Sequence, residues 1–379
     1  MHGVYVTRTG QYLPGAPVNN AAMVDYIGRL SPEAERLGRL TLRQNRIRTR
    51  HYAIAPDGST PWTLAKLAAA AVQDVLAKAE LDPAAVGLLA TATTQNDLLV
   101  PGLASGVHAA SGLGPCEIAS LQSVCASSMM AMKAAALSVA AGEHQAAVVV
   151  GAEFSSRYFR PGHYQQTATL SAEQTLPGDA EFLRWTLSDG AAALLLEPRP
   201  AARGLSLRID WISLRSFADR FAACMTGGGT RNADGTMQPW SHYPSIHQAA
   251  QAGAFQLRQD IGALHRMLPV WLGEFMRLVD TGQIDPAGTD WFCCHYSAHS
   301  LREEMIALAT RAGCMIPEER WFTNLYEKGN VGAASIFLML DDLMASGRLE
   351  PGHKIVCAVP ESGQCVMAYA GLTVVGEKS

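Results

Sequence analysis

The chain has 379 residues, 48% of them apolar and 17% charged, with 34 acidic side chains against 30 basic ones and a formal charge of −4. That is more core-forming material than a disordered or fibrous chain carries, and the slightly acidic balance excludes nucleic acid as a main partner, which calls for a strongly basic face. The eight cysteines (Cys116, Cys125, Cys224, Cys293, Cys294, Cys314, Cys357 and Cys365) are scattered through a large chain with no small-domain framework. They read as reduced thiols of a cytoplasmic protein.

The opening MHGVYVTRTGQYLPG reads as a strand entering a Pro/Gly turn, without the charged start and long apolar stretch of a secretion signal. Val86–Thr93 reads as a strand and Pro101–Ser111 as a short helix. Glu117–Val124 then leads into a helix of small residues at Ala126–Ala141. Ala146–Gly151 and Ala191–Leu196 are all-aliphatic strands, as a sheet covered by helices on both faces requires. Both fall well short of the roughly 20 residues that span a bilayer. The pattern then repeats: strand at Asp290–Cys294, helices at Leu301–Ala312 and Ala333–Ala345, strands at Lys354–Val359 and Val366–Val375. Such alternation predicts an α/β architecture with parallel strands.

A Pro/Arg/Gly stretch, Glu197–Gly204, divides the chain into expected units 1–198 and 199–379, each with its own strand–helix series. That suggests a structural duplication, although direct sequence repetition is too weak to demonstrate it. Phe154–Leu187 and Ser216–Leu257 are polar, aromatic and turn-rich. They read as long insertions of the kind that build substrate pockets on a rigid scaffold.

One cysteine stands apart. Cys125, in LQSVCASSMMAMKAAALSVAAGE, falls where a strand end meets a run of small helix formers. At a helix start its sulfur would feel the positive dipole end, which favours thiolate, and free backbone N–H groups would offer an oxyanion site. Position alone leaves two readings open, a nucleophile or one more small core residue. His295 ends the strand in WFCCHYSAHSLREEM, and Asn330 stands between Gly329 and Gly332 at a turn before a helix. Both could donate hydrogen bonds to one thioester oxygen, and each alone is equally a structural histidine or a turn residue. His299 competes with His295 for the same role; strand-end position favours His295.

Cys293, Cys294, His295 and His299 also invite a zinc-dependent hydrolase as a remote alternative. Against a metal, adjacent cysteines on a strand face opposite ways, and HYSAH lacks the internal Glu of a metalloprotease helix.

Taken in order, Cys125 in SVCASS, Asp189-Gly190-Ala191 in WTLSDGAAALLLEP, His295 in CCHYSAHS and Asn330 in KGNVGAASI resemble the thiolase superfamily, specifically its β-ketoacyl-acyl-carrier-protein synthase III branch. IRTRHYA (Ile47–Ala53) is similar to the arginine-rich stretch those enzymes carry before their first long helix. The resemblance implies a five-layered αβαβα fold of two similar halves about a pseudo-dyad, usually as a homodimer. It implies acyl loading on Cys125, with His295 and Asn330 holding the thioester carbonyl of a malonyl or β-ketoacyl unit for carbon–carbon condensation. It further implies that the Gly363 N–H, in PESGQCVMAY, completes an oxyanion hole with that of Cys125. No cofactor is expected, since acyl-carrier-protein or coenzyme A thioesters are the substrates.

The departures point within the branch. Glu361-Ser362-Gly363-Gln364 stands where the family has a run of glycines, and Arg43, Gln44, Asn45 and Arg46 stand where it clamps the coenzyme A adenine with Trp and Arg. A carrier-protein donor docked by arginines such as Arg46, Arg48, Arg50 or Arg302 is therefore expected over acetyl-CoA priming. The ESGQ loop and the insertions resemble ketosynthase/cyclase relatives that make dialkylresorcinols or cyclohexanediones. The alternative is an acyltransferase of the same fold that passes the acyl group to oxygen or nitrogen. No glutamate is evident as a base in place of His295 or Asn330.

Overall fold

The computed structural model describes residues 3–164 and 178–377. Its framework is ten strands: β1 (Tyr5–Tyr12), β2 (Leu88–Thr93), β3 (Glu117–Gln122), β4 (Ala147–Glu153), β5 (Gly190–Glu197), β6 (Leu205–Ser216), β7 (Trp291–Cys294), β8 (Trp321–Phe322), β9 (Lys354–Glu361) and β10 (Val366–Gly376). They are hydrogen-bonded in the order β8-β7-β9-β10-β6-β1-β5-β4-β2-β3. The run β3-β2-β4-β5-β1 recurs as β8-β7-β9-β10-β6, strand for strand. Orientation recurs too: β2 lies parallel to β3 and β4 as β7 does to β8 and β9, while the remaining neighbours within each run are antiparallel. The runs meet through Tyr5 opposite Arg208 and Val6 opposite Leu207. Two similar halves thus form one body, with the change from one strand series to the other between Glu197 and Leu205.

The sheet is mixed, not parallel throughout as strand–helix alternation predicts. Parallel neighbours need a crossover of a dozen or more residues. β9 and β10 are separated by residues 362–365 alone, so they must be antiparallel.

Alternation of side chains along the inner strands explains the layers. On β4, Ala147 and Val149 enter one core while Val148 and Val150 enter another; on β9, Ile355, Cys357 and Val359 join that first core while Val356 and Ala358 join a third. The shared core encloses two helices, α4 (Ser127–Ala141) and α7 (Ser335–Ala345), packed between the two halves. α4 touches β2 and β4 on one side and β6 and β10 on the other. Its sequence SSMMAMKAAALSVAA is small and apolar on every face, as a helix sandwiched between sheets requires. Helices α2 (Leu64–Ala79) and α3 (Leu103–Ser111) cover the outside of the first half, and α5 (Ile261–Asp280) and α6 (His299–Arg311) the outside of the second. The result is αβαβα. Fully buried Phe337 on α7 belongs to the shared core, and its truncation to alanine would cost about 3–5 kcal/mol.

Helix α2, the two-residue strand β8, the strand β6 and the helix α5 escape the sequence reading. β6 is a 12-residue strand whose charged side chains, Arg208, Asp210 and Arg215, interrupt its apolar pattern. α5 runs for 20 residues through the Pro269 that would ordinarily break a helix. Within Ser216–Leu257 the chain forms small ladders, Gly229–Arg231 with Met237–Pro239, and Met225–Thr226 with Arg258–Gln259 beyond its end. Residues 165–177 of the other expected insertion lie outside the described residues. Among the described residues no helix is long and apolar enough to cross a membrane.

Candidate active site

Cys125 lies in the turn between β3 and α4, and Asn330 in the turn between β8 and α7. These are matching places in the two halves: the end of the third strand and the start of the central helix. Both residues are buried, at 7% and 3% exposure, and both line one cavity. His295, at the end of β7, lines it as well. The three residues separated by up to 205 positions in the sequence are therefore neighbours around one space.

The surroundings of Cys125 oppose the expected thiolate. Burial pushes its thiol well above the ordinary range, and the Glu361 and Glu153 carboxylates push it further. Its own amide works the other way. The helix-start donors anticipated beside it are largely taken. One oxygen of Glu361 accepts the amides of Val124 (3.0 Å) and Ala126 (2.9 Å), and the other accepts the Ser123 hydroxyl (2.6 Å). An anion from the second half thus sits where the α4 dipole is positive.

Asn330 is held by its own turn. Its carbonyl accepts the Ser188 amide (2.8 Å), and its side-chain Oδ1 accepts the Gly332 amide (2.9 Å), leaving Nδ2 as the donor toward the cavity. Burial lowers the His295 imidazole to about 4, so at neutral pH the ring is uncharged, one nitrogen donating and the other accepting. His299 is elsewhere. As the first residue of α6 it places Nδ1 2.5 Å from the Tyr326 hydroxyl and Nε2 3.2 Å from Glu303.

A carboxylate missed by the sequence reading completes the cavity. Glu153 ends β4, and its Oε1 accepts the Thr94 amide (3.0 Å), the Thr94 hydroxyl (2.6 Å) and the Ala333 amide (3.0 Å). Burial raises it to about 7 against those three bonds. The signal was available: Glu153 follows the aliphatic run AVVVGA at a strand end, where functional groups gather. Asp189, in the second of the four resembling motifs, ties the chain together behind the site. It accepts the amides of Ala53 (2.7 Å) and Ser156 (2.9 Å), and burial raises it to about 6.

Beside Cys125 the wall is formed by Pro360 and Ser362. Gly363 packs behind them, where a Cβ would come within 2.9 Å of Val124, and its carbonyl accepts the Cys224 amide (2.8 Å). The arginines expected to dock a carrier gather near the start of α6, each with an acidic partner: Arg46 with Glu303 (3.3 Å), Arg302 with Glu318 (3.1 Å), Arg48 with Glu327. Arg50 is fully buried and donates to Asn20 (2.8 Å), so it is no docking residue. The zinc alternative fails on direction. Cys293 faces the shared core, Cys294 faces the outer core of the second half, and His299 is engaged with Tyr326 and Glu303. Among the described residues no three His, Cys, Asp or Glu side chains could hold a metal ion.

Residues 279–368 match the C-terminal domain of 3-oxoacyl-[acyl-carrier-protein] synthase III, and residues 55–177 match the N-terminal domain of thiolase. Solved structures similar along the whole chain include AbyA1, a tetronic acid condensing enzyme, at 23% identity and TM-score 0.74 over 98% of this chain and 99% of that one. FabH, the 3-oxoacyl-(acyl carrier protein) synthase III of Pseudomonas aeruginosa PAO1, aligns at 21% identity and TM-score 0.71 over 100% and 99% of the two chains. OleA of Xanthomonas campestris aligns at 19% identity and TM-score 0.74 over 98% of each.

Proposed function

On the premise that the chain belongs to the thiolase superfamily, we propose that it is a condensing acyltransferase that joins two acyl units through Cys125. The observation that carries the reading is the convergence of Cys125, a neutral His295 and Asn330 on one cavity. In the first half-reaction the Cys125 sulfur, its proton passed to a base such as the imidazole, attacks a thioester carbonyl. A new thioester forms and the donor thiol leaves. In the second, the His295 and Asn330 donors bind the carbonyl oxygen of a malonyl thioester. Loss of carbon dioxide passes the pair of the broken bond to the α-carbon, giving an enolate whose oxygen those donors stabilise. The enolate carbon attacks the acyl-Cys125 carbonyl, a carbon–carbon bond forms, and the cysteine sulfur departs. The Cys125 amide and the Ser362–Gly363 turn beside it supply backbone donors for the oxyanion.

An acyl thioester donor, on acyl carrier protein or coenzyme A, suits the mostly apolar cavity wall. A neighbour of the same fold, OleA, has been crystallised with lauric acid and lauroyl-CoA. We assign the edge of the sheet to a homodimer contact. β3 ends the strand order with exposed residues, and the adjacent Leu98, Leu99 and Val100 are 58%, 82% and 80% exposed, so a second copy pairing there would cover both.

Intact mass after incubation with lauroyl-CoA tests the first step. An adduct that Cys125→Ala abolishes is expected; no adduct, or one that survives the substitution, overturns the assignment. Malonyl thioester is then added and the product analysed by mass. A β-keto product supports condensation. An ester or amide of an added alcohol or amine, with no β-keto product, replaces it with simple acyl transfer.

A further inference from the structure

We propose that Glu153 and Glu361 are reciprocal positioning residues, each ending the fourth strand of one half and holding the reactive turn of the other half. What the turns do rests on the condensing-enzyme reading; how they are held rests on geometry alone. Glu361 ends β9 of the second half and takes three donors around Cys125, from Ser123, Val124 and Ala126. Glu153 ends β4 of the first half and takes the Ala333 amide in the Asn330 turn, together with both donors of Thr94.

The second clamp reaches the Asn330 side chain through one peptide link. Consecutive amides, Gly332 and Ala333, go to Asn330 Oδ1 and to Glu153 respectively. Gly332 has φ +47°, and a Cβ there would lie 2.8 Å from the Glu153 oxygen, so the turn rests directly on the carboxylate. A group with acceptor capacity and no competing donor suits a point where several N–H and O–H groups converge. Each clamp crosses between halves, so each turn is registered against the opposite sheet. It follows that the two glutamates serve different half-reactions: Glu361 the loading of Cys125, Glu153 the condensation held by Asn330.

The full chain is tested as wild type and as Glu153→Ala, Glu153→Gln, Glu361→Ala and Glu361→Gln. Three readouts are followed: Cys125 loading from lauroyl-CoA by intact mass, β-keto product from malonyl thioester, and amide exchange of residues 123–127 and 331–335. Glu153→Ala should lower the ratio of condensation to loading about 10- to 100-fold, since loss of its charge acts on the Cys125 thiol in both steps while displacement of the Asn330 turn falls on condensation. Glu361→Ala should do the reverse. Glu153→Gln keeps the one oxygen on which its three donors meet, and Glu361→Gln keeps one for the Val124 and Ala126 amides while its NH2 donates to the Ser123 hydroxyl oxygen, so each should restore the affected step to within about threefold. Exchange should quicken at 331–335 in Glu153→Ala alone and at 123–127 in Glu361→Ala alone. Proportional loss of both steps in both alanine variants, or glutamines as impaired as alanines, overturns the assignment. If wild type loads no acyl group, the condensing reading falls by itself and the exchange pattern decides the clamps. If an alanine variant does not fold, accelerated exchange in the matching glutamine variant overturns its clamp, and unchanged exchange supports it.

Discussion

A methyl group added to Gly151 would lie 2.7 Å from the carbonyl oxygen of Ala333 and 3.1 Å from its carbon. β4 of the first half therefore runs in direct backbone contact with the Asn330 turn of the second, and the glycine in VVVGAE exists for that approach. Gly151→Ala is expected to cost about 1–3 kcal/mol by overpacking, read as a lower midpoint in thermal unfolding. Because the strain falls on residues 333 and 334 and not on the Cys125 turn, condensation should fall further than acyl loading. Equal losses in the two steps would place the strain elsewhere.

The buried titratable groups give opposite pH slopes. His295 is held at about 4, below the roughly 6.5 of an unfolded chain, so the unfolded state binds the extra proton between those values. Its contribution to stability is complete above about pH 6.5 and is lost as pH falls through 4. Glu153 is raised to about 7 from 4.5, so its ionisation costs stability as pH rises from 4.5 through 7. His295→Gln should therefore lose less urea stability than wild type between pH 6.5 and 4.5. Glu153→Gln, which removes the charge and keeps the three accepted bonds, should gain on wild type between pH 5 and 8. Parallel urea-midpoint curves for wild type and variant would remove the corresponding assignment.

Much of this arrangement is legible in the sequence because it is local. The aliphatic runs of β4 and β5 announce a doubly covered sheet, and the small residues after Cys125 announce a helix packed on every side. The strand-end position of His295 separates it from His299, which the structure turns toward Tyr326 and Glu303. The rest depends on contacts across the pseudo-dyad. Glu153 and Glu361 look like strand-end surface charges in sequence, and only the approach of the opposite half buries them at 4% and 1% exposure. The high thiol pKa of Cys125 follows from that same approach, since helix position alone argues for the reverse. α5 stays hidden because Pro269 marks a break that burial of Met267, Leu268 and Trp271 overrides.

If the proposed condensation holds, α5 bears on which acyl chains enter. Leu268, Trp271 and Met305 line both the cavity that holds Cys125, His295 and Asn330 and a second, apolar space between α5, α6 and the outer face of β7, β9 and β10. Met305→Ala should open one into the other and admit longer acyl chains. Each additional methylene buried there is worth about 0.8 kcal/mol, or roughly fourfold in kcat/KM. The check is kcat/KM for loading across a series of acyl thioesters. An unchanged chain-length profile would show that acyl groups do not reach this wall.

Variants of the arginine cluster would tell a carrier-protein donor from coenzyme A. Arg46, Arg48 and Arg302 stand near the start of α6, paired with Glu303, Glu327 and Glu318, and Arg302 also lies 5.1 Å from the Trp321 ring. Exposed pairs of this kind contribute about 0–1 kcal/mol each, so replacing Arg46 and Arg48 with alanine should barely move the thermal midpoint. An acidic carrier docking there would compete for the same guanidinium groups. The double variant should then raise KM for carrier-bound donor several-fold, leave KM for the coenzyme A thioester within about twofold, and lose that difference as salt screens the charges beyond about 0.5 M. Arg302→Ala should add to the effect, with a larger stability loss because its guanidinium stacks over the Trp321 ring. Equal effects on the two donors, or a difference insensitive to salt, would mean that these arginines only tie the surface together and that a carrier approaches from another side.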